Sequence, residues 1–121
     1  MMIIYATVVK EIGPNAKDFL EEEMMVTFGE DAPAELRPYC FLIDQNALTG
    51  EMEVGDQVYL GETSYEITAI GEQAIKNLKD LGHVTLNFKG ETDPAMAGTL
   101  YLEKKEPVEV SVGTQIIIKK K

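Results

Sequence analysis

Val58-Tyr59-Leu60-Gly61, then Tyr65-Glu66-Ile67-Thr68-Ala69-Ile70, then Gly82-His83-Val84-Thr85-Leu86-Asn87-Phe88 are the segments that decide the fold. In the second, Tyr65, Ile67 and Ala69 alternate with Glu66 and Thr68, the period-two pattern of a half-buried strand. The third repeats the pattern, with Val84, Leu86 and Phe88 set against Thr85, Asn87 and Lys89. Between them the period changes: Ala74, Ile75, Leu78 and Leu81 form a helical stripe over Glu72 to Leu81, and Gly82 supplies a C-cap. Glycines close the strands on either side, so the middle of the chain predicts strand, strand, short helix, strand.

The same chemistry extends outward. Ile3 to Val9 is rich in β-branched residues and stops at Ile12-Gly13-Pro14, which predicts a buried strand and a turn. Asn15 then caps a short helix carrying Ala16, Phe19 and Leu20 on one face, with Glu21, Glu22 and Glu23 on its wet side. Met24 to Phe28 predicts a strand, Ala32 to Pro38 an irregular loop around Pro33 and Pro38, and Tyr39 to Ile43 a buried strand ended by Asp44-Gln45-Asn46. Thr99 to Glu103, Val108 to Val112 and Thr114 to Ile118 also have strand character. Many short strands with one or two short helices predict an all-β (mostly β) domain, a closed or nearly closed small β-barrel. One echo recurs: Val54-Gly55-Asp56-Gln57-Val58-Tyr59-Leu60 resembles Val112-Gly113-Thr114-Gln115-Ile116-Ile117-Ile118, as two similar barrel corners would, and as recurring turn-then-strand chemistry also would.

Composition bounds the function. A chain of 121 residues with 45% hydrophobic and 26% charged side chains predicts one folded domain over residues 1–121. A net charge of -10 and a single arginine, Arg37, argue against nucleic acid and anionic lipid as partners. The apolar first nine residues are too short to span a bilayer, so no direct membrane insertion and a cytoplasmic location are expected. Cys40 is the lone cysteine, set between Tyr39 and Phe41, and is expected to be a buried, inert thiol. With one cysteine and one histidine no metal site is expected, and no cofactor, since phosphate-loop, dinucleotide and hydrolase motifs are missing. The acidic runs Glu21 to Glu23 and Glu30-Asp31 lack calcium-loop spacing and suit a solvated face, as does the tail Lys119 to Lys121.

His83 is the sole histidine. It follows the C-cap of the helix, where the negative end of the dipole favours the imidazolium, and it falls on the face of Thr85 and Asn87. Two uses are open to it: a base or nucleophile at the surface, or a structural group bonded to the helix end or a nearby carbonyl.

Longer strings add a resemblance. Val58-Tyr59-Leu60-Gly61, Tyr65 to Gly71 and Asn77-Leu78-Lys79-Asp80-Leu81-Gly82-His83-Val84-Thr85-Leu86-Asn87-Phe88 resemble the glucitol/sorbitol-specific IIA components of the bacterial sugar phosphotransferase system. Ile3-Ile4-Tyr5, Ile12-Gly13, Ala32 to Leu36 and Tyr39-Cys40-Phe41 extend it, from the N-terminus to about Leu102. The resemblance implies a small barrel-like phosphocarrier that takes a phosphoryl group from the phosphohistidine of HPr and passes it to the IIB domain of the permease (IIB/IIC). Histidine suits a reversible relay, because its nitrogen is nucleophilic at neutral pH and its phosphoramidate keeps a high transfer potential.

One segment departs from the family. Its acceptor histidine follows the Tyr-Cys-Phe string in the form C-F-x-H-x-H-G-E-L-x-G, whereas this chain reads Cys40-Phe41-Leu42-Ile43-Asp44-Gln45-Asn46-Ala47-Leu48-Thr49-Gly50. Ile43 and Gln45 occupy the histidine positions, with Asp44 between them, and Ala47 replaces the glutamate. Three readings follow: a relay that uses His83, a phosphotransfer-incompetent binding or regulatory protein that keeps the fold, or phosphorylation of Asp44 or Cys40. An unrelated barrel that binds a small ligand is the competing class. Partners are expected to be proteins docking on shallow surfaces, steered by charge and weakened by salt; a homo-oligomer is compatible with the sequence.

Overall fold

The computed structural model describes residues 2–121, and within them every predicted strand except one forms. β1 (Ile3–Ile12), β2 (Met24–Gly29), β3 (Phe41–Ile43), β4 (Gln57–Leu60), β5 (Thr63–Ile70), β6 (Val84–Asn87), β7 (Thr99–Leu102) and β8 (Gln115–Lys119) close into a barrel, in the order β1-β3-β2-β6-β7-β5-β4-β8. The pairs β2–β3 and β6–β7 are parallel and the other six antiparallel. Among the described residues, closure leaves no end strand in the sheet order whose edge is open to another chain. Alternate residues point inward: Tyr65 and Ile67 from β5, Val84 and Leu86 from β6, Ile116 and Ile118 from β8 all join one core. Two helices interrupt the strands, α1 (Ala16–Leu20) between β1 and β2 and α2 (Ala74–Leu81) between β5 and β6.

Exchanging β1 with β5, β2 with β6, β3 with β7 and β4 with β8 returns the same cyclic order. The hydrogen bonds repeat with it. The Gly13 amide donates to Cys40 O as that of Gly71 does to Thr99 O, and Asn15 N to Pro38 O as Gln73 N to Ala97 O. A Cβ at Gly13 or Gly71 would stand 2.3 or 2.4 Å from backbone oxygens of those same returning segments, so glycine is required at both. The sequence echo is part of this duplication. Gly55 and Gly113 both turn left-handed, at φ 98° and 96°. The Asp56 carboxylate accepts from Glu53 N at 2.7 Å, as the Thr114 hydroxyl accepts from Ser111 N at 2.9 Å. The corner turns are therefore one motif used twice, 58 residues apart.

Five expectations are corrected. Val108 to Val112 forms no strand: both edges of β8 are taken by β1 and β4, and the segment instead buries Val110 in the core while Val108 N donates to the Tyr65 hydroxyl. Tyr39 belongs to a short 3₁₀ turn, Arg37–Tyr39, and is exposed, so β3 begins only at Phe41. Leu81 leaves the buried stripe of α2, 46% exposed, because the helix ends there. The terminal lysines are not all free in solvent: Lys120 Nζ lies 2.8 Å from Glu53 and 3.1 Å from buried Asp56. Asn15 precedes α1 as predicted, but its side chain makes no capping bond.

The barrel interior is filled. Its void, among Tyr5, Thr27, Ile43, Leu78, Leu86 and Leu100, is about 10 Å³, too small for an organic ligand. That removes the basis for an interior small-molecule site. No helix among the described residues is long and apolar enough to cross a membrane.

Candidate functional site

α2 forms because Ala74 and Leu78 bury one face against the barrel, while Lys76, Lys79 and Asp80 stay exposed. It stops at Gly82, whose left-handed φ of 67° admits glycine at little cost and lets its amide bond back to Leu78 O. The chain then turns directly into β6, with His83 as the first residue out of the turn.

At this turn two backbones meet. A Cβ at Gly82 would stand 2.9 Å from Gly29 N, and a Cβ at Gly29 would stand 2.8 Å from Leu81 O. The end of β2 thus packs on the exit of α2 through two glycines. The altered segment closes on the same place. Ile43 Cδ1 would lie 3.6 Å from a Cβ at Gly82, and Gln45 Oε1 3.2 Å from one at Gly29. The Gln45 amide donates to the carbonyls of Asp80 and Lys79, satisfying acceptors that the helix end leaves over. Ile43, Gln45 and His83, far apart in sequence, are gathered round one junction. Nothing in sequence periodicity signals it; the two glycines were the available clue.

The positions differ in access. Ile43 is 1% exposed and points into the core, whereas Gln45 is exposed in a shallow open groove with Asn46, Ala47, Lys79 and Asp80. Asp44 pairs loosely with Lys10 at 3.8 Å, and its backbone oxygen accepts from the Thr7 hydroxyl at 2.7 Å. Cys40 is 2% exposed, and burial pushes its thiol pKa up, so neither access nor thiolate supports a thiophosphate there. Among the described residues, no three His, Cys, Asp or Glu side chains converge as a metal site would require.

His83 is half-buried. Its Nδ1 lies 2.9 Å from the backbone oxygen of Thr27. A carbonyl can only accept, so Nδ1 carries a proton, and in the neutral ring the lone pair is then on Nε2. Nε2 has no hydrogen-bond partner among the described residues. The ring stacks on Phe28, with centroids 4.3 Å apart and planes 23° from parallel. Thr27 is fixed in turn by its hydroxyl, which donates to Gly82 O at 2.9 Å.

Known proteins share this arrangement of chain. A sequence model described as the PTS system glucitol/sorbitol-specific IIA component matches residues 4–117. The chain belongs to that family. It is 40% identical over 114 residues to the PTS system glucitol/sorbitol-specific EIIA components of Shigella flexneri and Escherichia coli K12, covering 94% of this chain and 93% of each relative. The crystal structure of a PTS system IIA component from Enterococcus faecalis V583 superposes with a TM-score of 0.81 at 29% identity, over 93% of this chain and 97% of that one. The barrel with two short helices is therefore the fold of a IIA component, and this chain is one of the glucitol/sorbitol type.

Proposed function

We propose that this IIA component acts in the cytoplasm as a phosphocarrier between HPr and a permease IIB domain, and that it carries the phosphoryl group on Nε2 of His83. The observation that carries the proposal is the Nδ1–Thr27 bond, which leaves Nε2 as the lone-pair nitrogen at the junction where the altered segment lies. In the transfer, the Nε2 lone pair attacks phosphorus, a new N–P bond forms, and the N–P bond of phospho-HPr breaks as its imidazole leaves. The Thr27 carbonyl steadies the positive charge that His83 develops through the Nδ1 proton. Phosphoryl transfer asks the protein mainly for positioning, and the stacked, singly bonded imidazole meets that need.

A second reading, a binding or regulatory protein without phosphotransfer, is favoured by one observation. Neither family histidine position holds a nucleophile: Ile43 is in the core, and Gln45 is tied to the end of α2. Incubation with phosphoenolpyruvate, enzyme I and HPr, read by intact mass, separates the two. An acid-labile phosphate on the parent that vanishes in His83→Gln supports the relay. No phosphate on the parent while HPr is fully phosphorylated supports the second reading.

A further inference from the structure

Phe28 does not belong to the barrel core. With Ala32, Cys40 and Leu42 it forms a separate buried cluster on the outside of the barrel, flanked by Val26. Phe28 and Leu42 occupy outward positions on β2 and β3, and the loop after β2 folds back over them, fixed by Ala32 N to Gly29 O and by Arg37, which donates to Glu30 O at 2.7 Å. A barrel does not need this outer cluster to close. Its visible consequence is that the Phe28 ring is buried and held flat beneath the His83 imidazole.

We infer that Phe28, backed by the cluster that holds Cys40, is a positioning residue that fixes the His83 ring so that phosphoryl chemistry occurs at Nε2 alone. This rests on the His83 reading and adds the control of its regiochemistry. Rotation of the imidazole about Cβ–Cγ would withdraw Nδ1 from Thr27 O and turn it outward. Stacking on a packed aromatic holds the ring in one plane and hinders its passage through the tilted orientations that such a rotation requires, so the Nδ1–Thr27 bond is kept. An aliphatic side chain with no flat face hinders that passage less. Cys40 then serves as packing beneath the platform rather than as a phosphoryl acceptor.

The test treats the full chain with phosphoramidate, a small donor that needs no partner protein. His83 gains an N–P bond, the donor's P–N bond breaks, and ammonia leaves. Phosphorus NMR distinguishes the Nε2 from the Nδ1 isomer, and ¹⁵N shifts of the unmodified ring report its tautomer. The parent is expected to give one isomer, at Nε2, and a single Nδ1–H tautomer. Phe28→Leu is expected to react about tenfold more slowly, to show the Nδ1 isomer and to mix tautomers. Phe28→Tyr restores the parent pattern, and Val26→Ala, which disturbs the same cluster but leaves the stacked Phe28 ring in place, leaves the isomer ratio unchanged. An unchanged ratio and tautomer in Phe28→Leu, or an equal change in Val26→Ala, overturns the inference. If His83 in the parent takes no phosphate from either phosphoramidate or HPr, the relay reading fails, and the tautomer comparison still decides whether Phe28 positions the ring.

Discussion

Asp56→Ala tests the duplicated corner against its twin. Asp56 is fully buried and accepts three hydrogen bonds: from Glu53 N at 2.7 Å, from Lys121 N at 3.1 Å and from Lys120 Nζ at 3.1 Å. Thr114, at the equivalent corner, accepts only the first of these, from Ser111 N. The donors around Asp56 lie near the surface and can rehydrate, so each lost bond costs about 1 kcal/mol rather than the larger cost of a stranded buried group. Asp56→Ala should therefore lower stability by about 3 kcal/mol and Thr114→Ala by about 1 kcal/mol. For a chain of 121 residues the unfolding entropy near Tm is about 0.25 kcal/mol/K, which converts these to falls of about 12 °C and about 4 °C. Thermal unfolding followed by circular dichroism at pH 7 measures both. Equal falls in the two variants would refute the reasoning, because the extra bonds to the C-terminal lysines would then contribute nothing.

The pH dependence checks the same carboxylate independently. Burial alone would raise the Asp56 pKa, but the amides of Glu53 and Lys121 and the ammonium of Lys120 more than offset it and hold it below the ordinary value. A group whose folded pKa is depressed contributes its full stabilisation above its unfolded pKa, about 3.9 for aspartate. The contribution is lost as pH falls through the folded value. The Tm gap between parent and Asp56→Ala should thus be constant near neutrality and narrow below about pH 4. A gap that widens on acidification would mean that burial wins and the folded pKa of Asp56 is raised rather than lowered.

Two further predictions concern the site. Gly82→Ala combines a left-handed φ with a Cβ 2.9 Å from Gly29 N, and should cost about 2 kcal/mol by thermal unfolding while shifting the His83 ring resonances; unchanged His83 resonances would separate the junction from the imidazole. Gln45→His, made in a His83→Gln background, places an imidazole in the exposed groove beside Lys79, and intact mass after incubation with phospho-HPr should show an acid-labile phosphate that His83→Gln alone lacks.

Much of the fold was legible because its determinants are local. Tyr65, Ile67 and Ala69 alternate in the sequence and are buried in β5, and Gly82 ends α2 in the left-handed conformation. What failed was non-local. Val108 to Val112 has the composition of a strand, but only the closed order of the barrel shows that no edge is left for it to pair with. The exposure of Leu81 likewise depends on where the helix meets β2. The site was legible only in parts: His83 and the altered positions could be named, but their meeting at Gly29 and Gly82 depends on the β2–β6 register. The stacking of His83 on Phe28 depends on the same register, and no spacing in the chain announces it.

The duplication also bears on whether His83 is structural. If an imidazole were needed to finish the helix and start the strand, the other half of the barrel would need one too. Its turn keeps the backbone and discards the side chain. Glu23 adopts a left-handed φ of 62° where α2 has Gly82, a conformation that costs a residue with a side chain about 1 kcal/mol, so the barrel demands that geometry even without glycine. The next residue is Met24, which pairs across the sheet with Asn87, on the same ladder in which His83 stacks on Phe28. Met25 and Val84 then enter the core alike. The grooves match as well: Gln45 to Ala47 faces Lys79 and Asp80 in one half, and Lys104 to Glu106 faces Leu20 and Glu21 in the other. A methionine completes the turn in one half, so the fold itself does not require the histidine in the other. What distinguishes the half that has it is the stacked ring, the bonded Nδ1 and an Nε2 without a partner among the described residues, the features that the proposed phosphoryl acceptor would use.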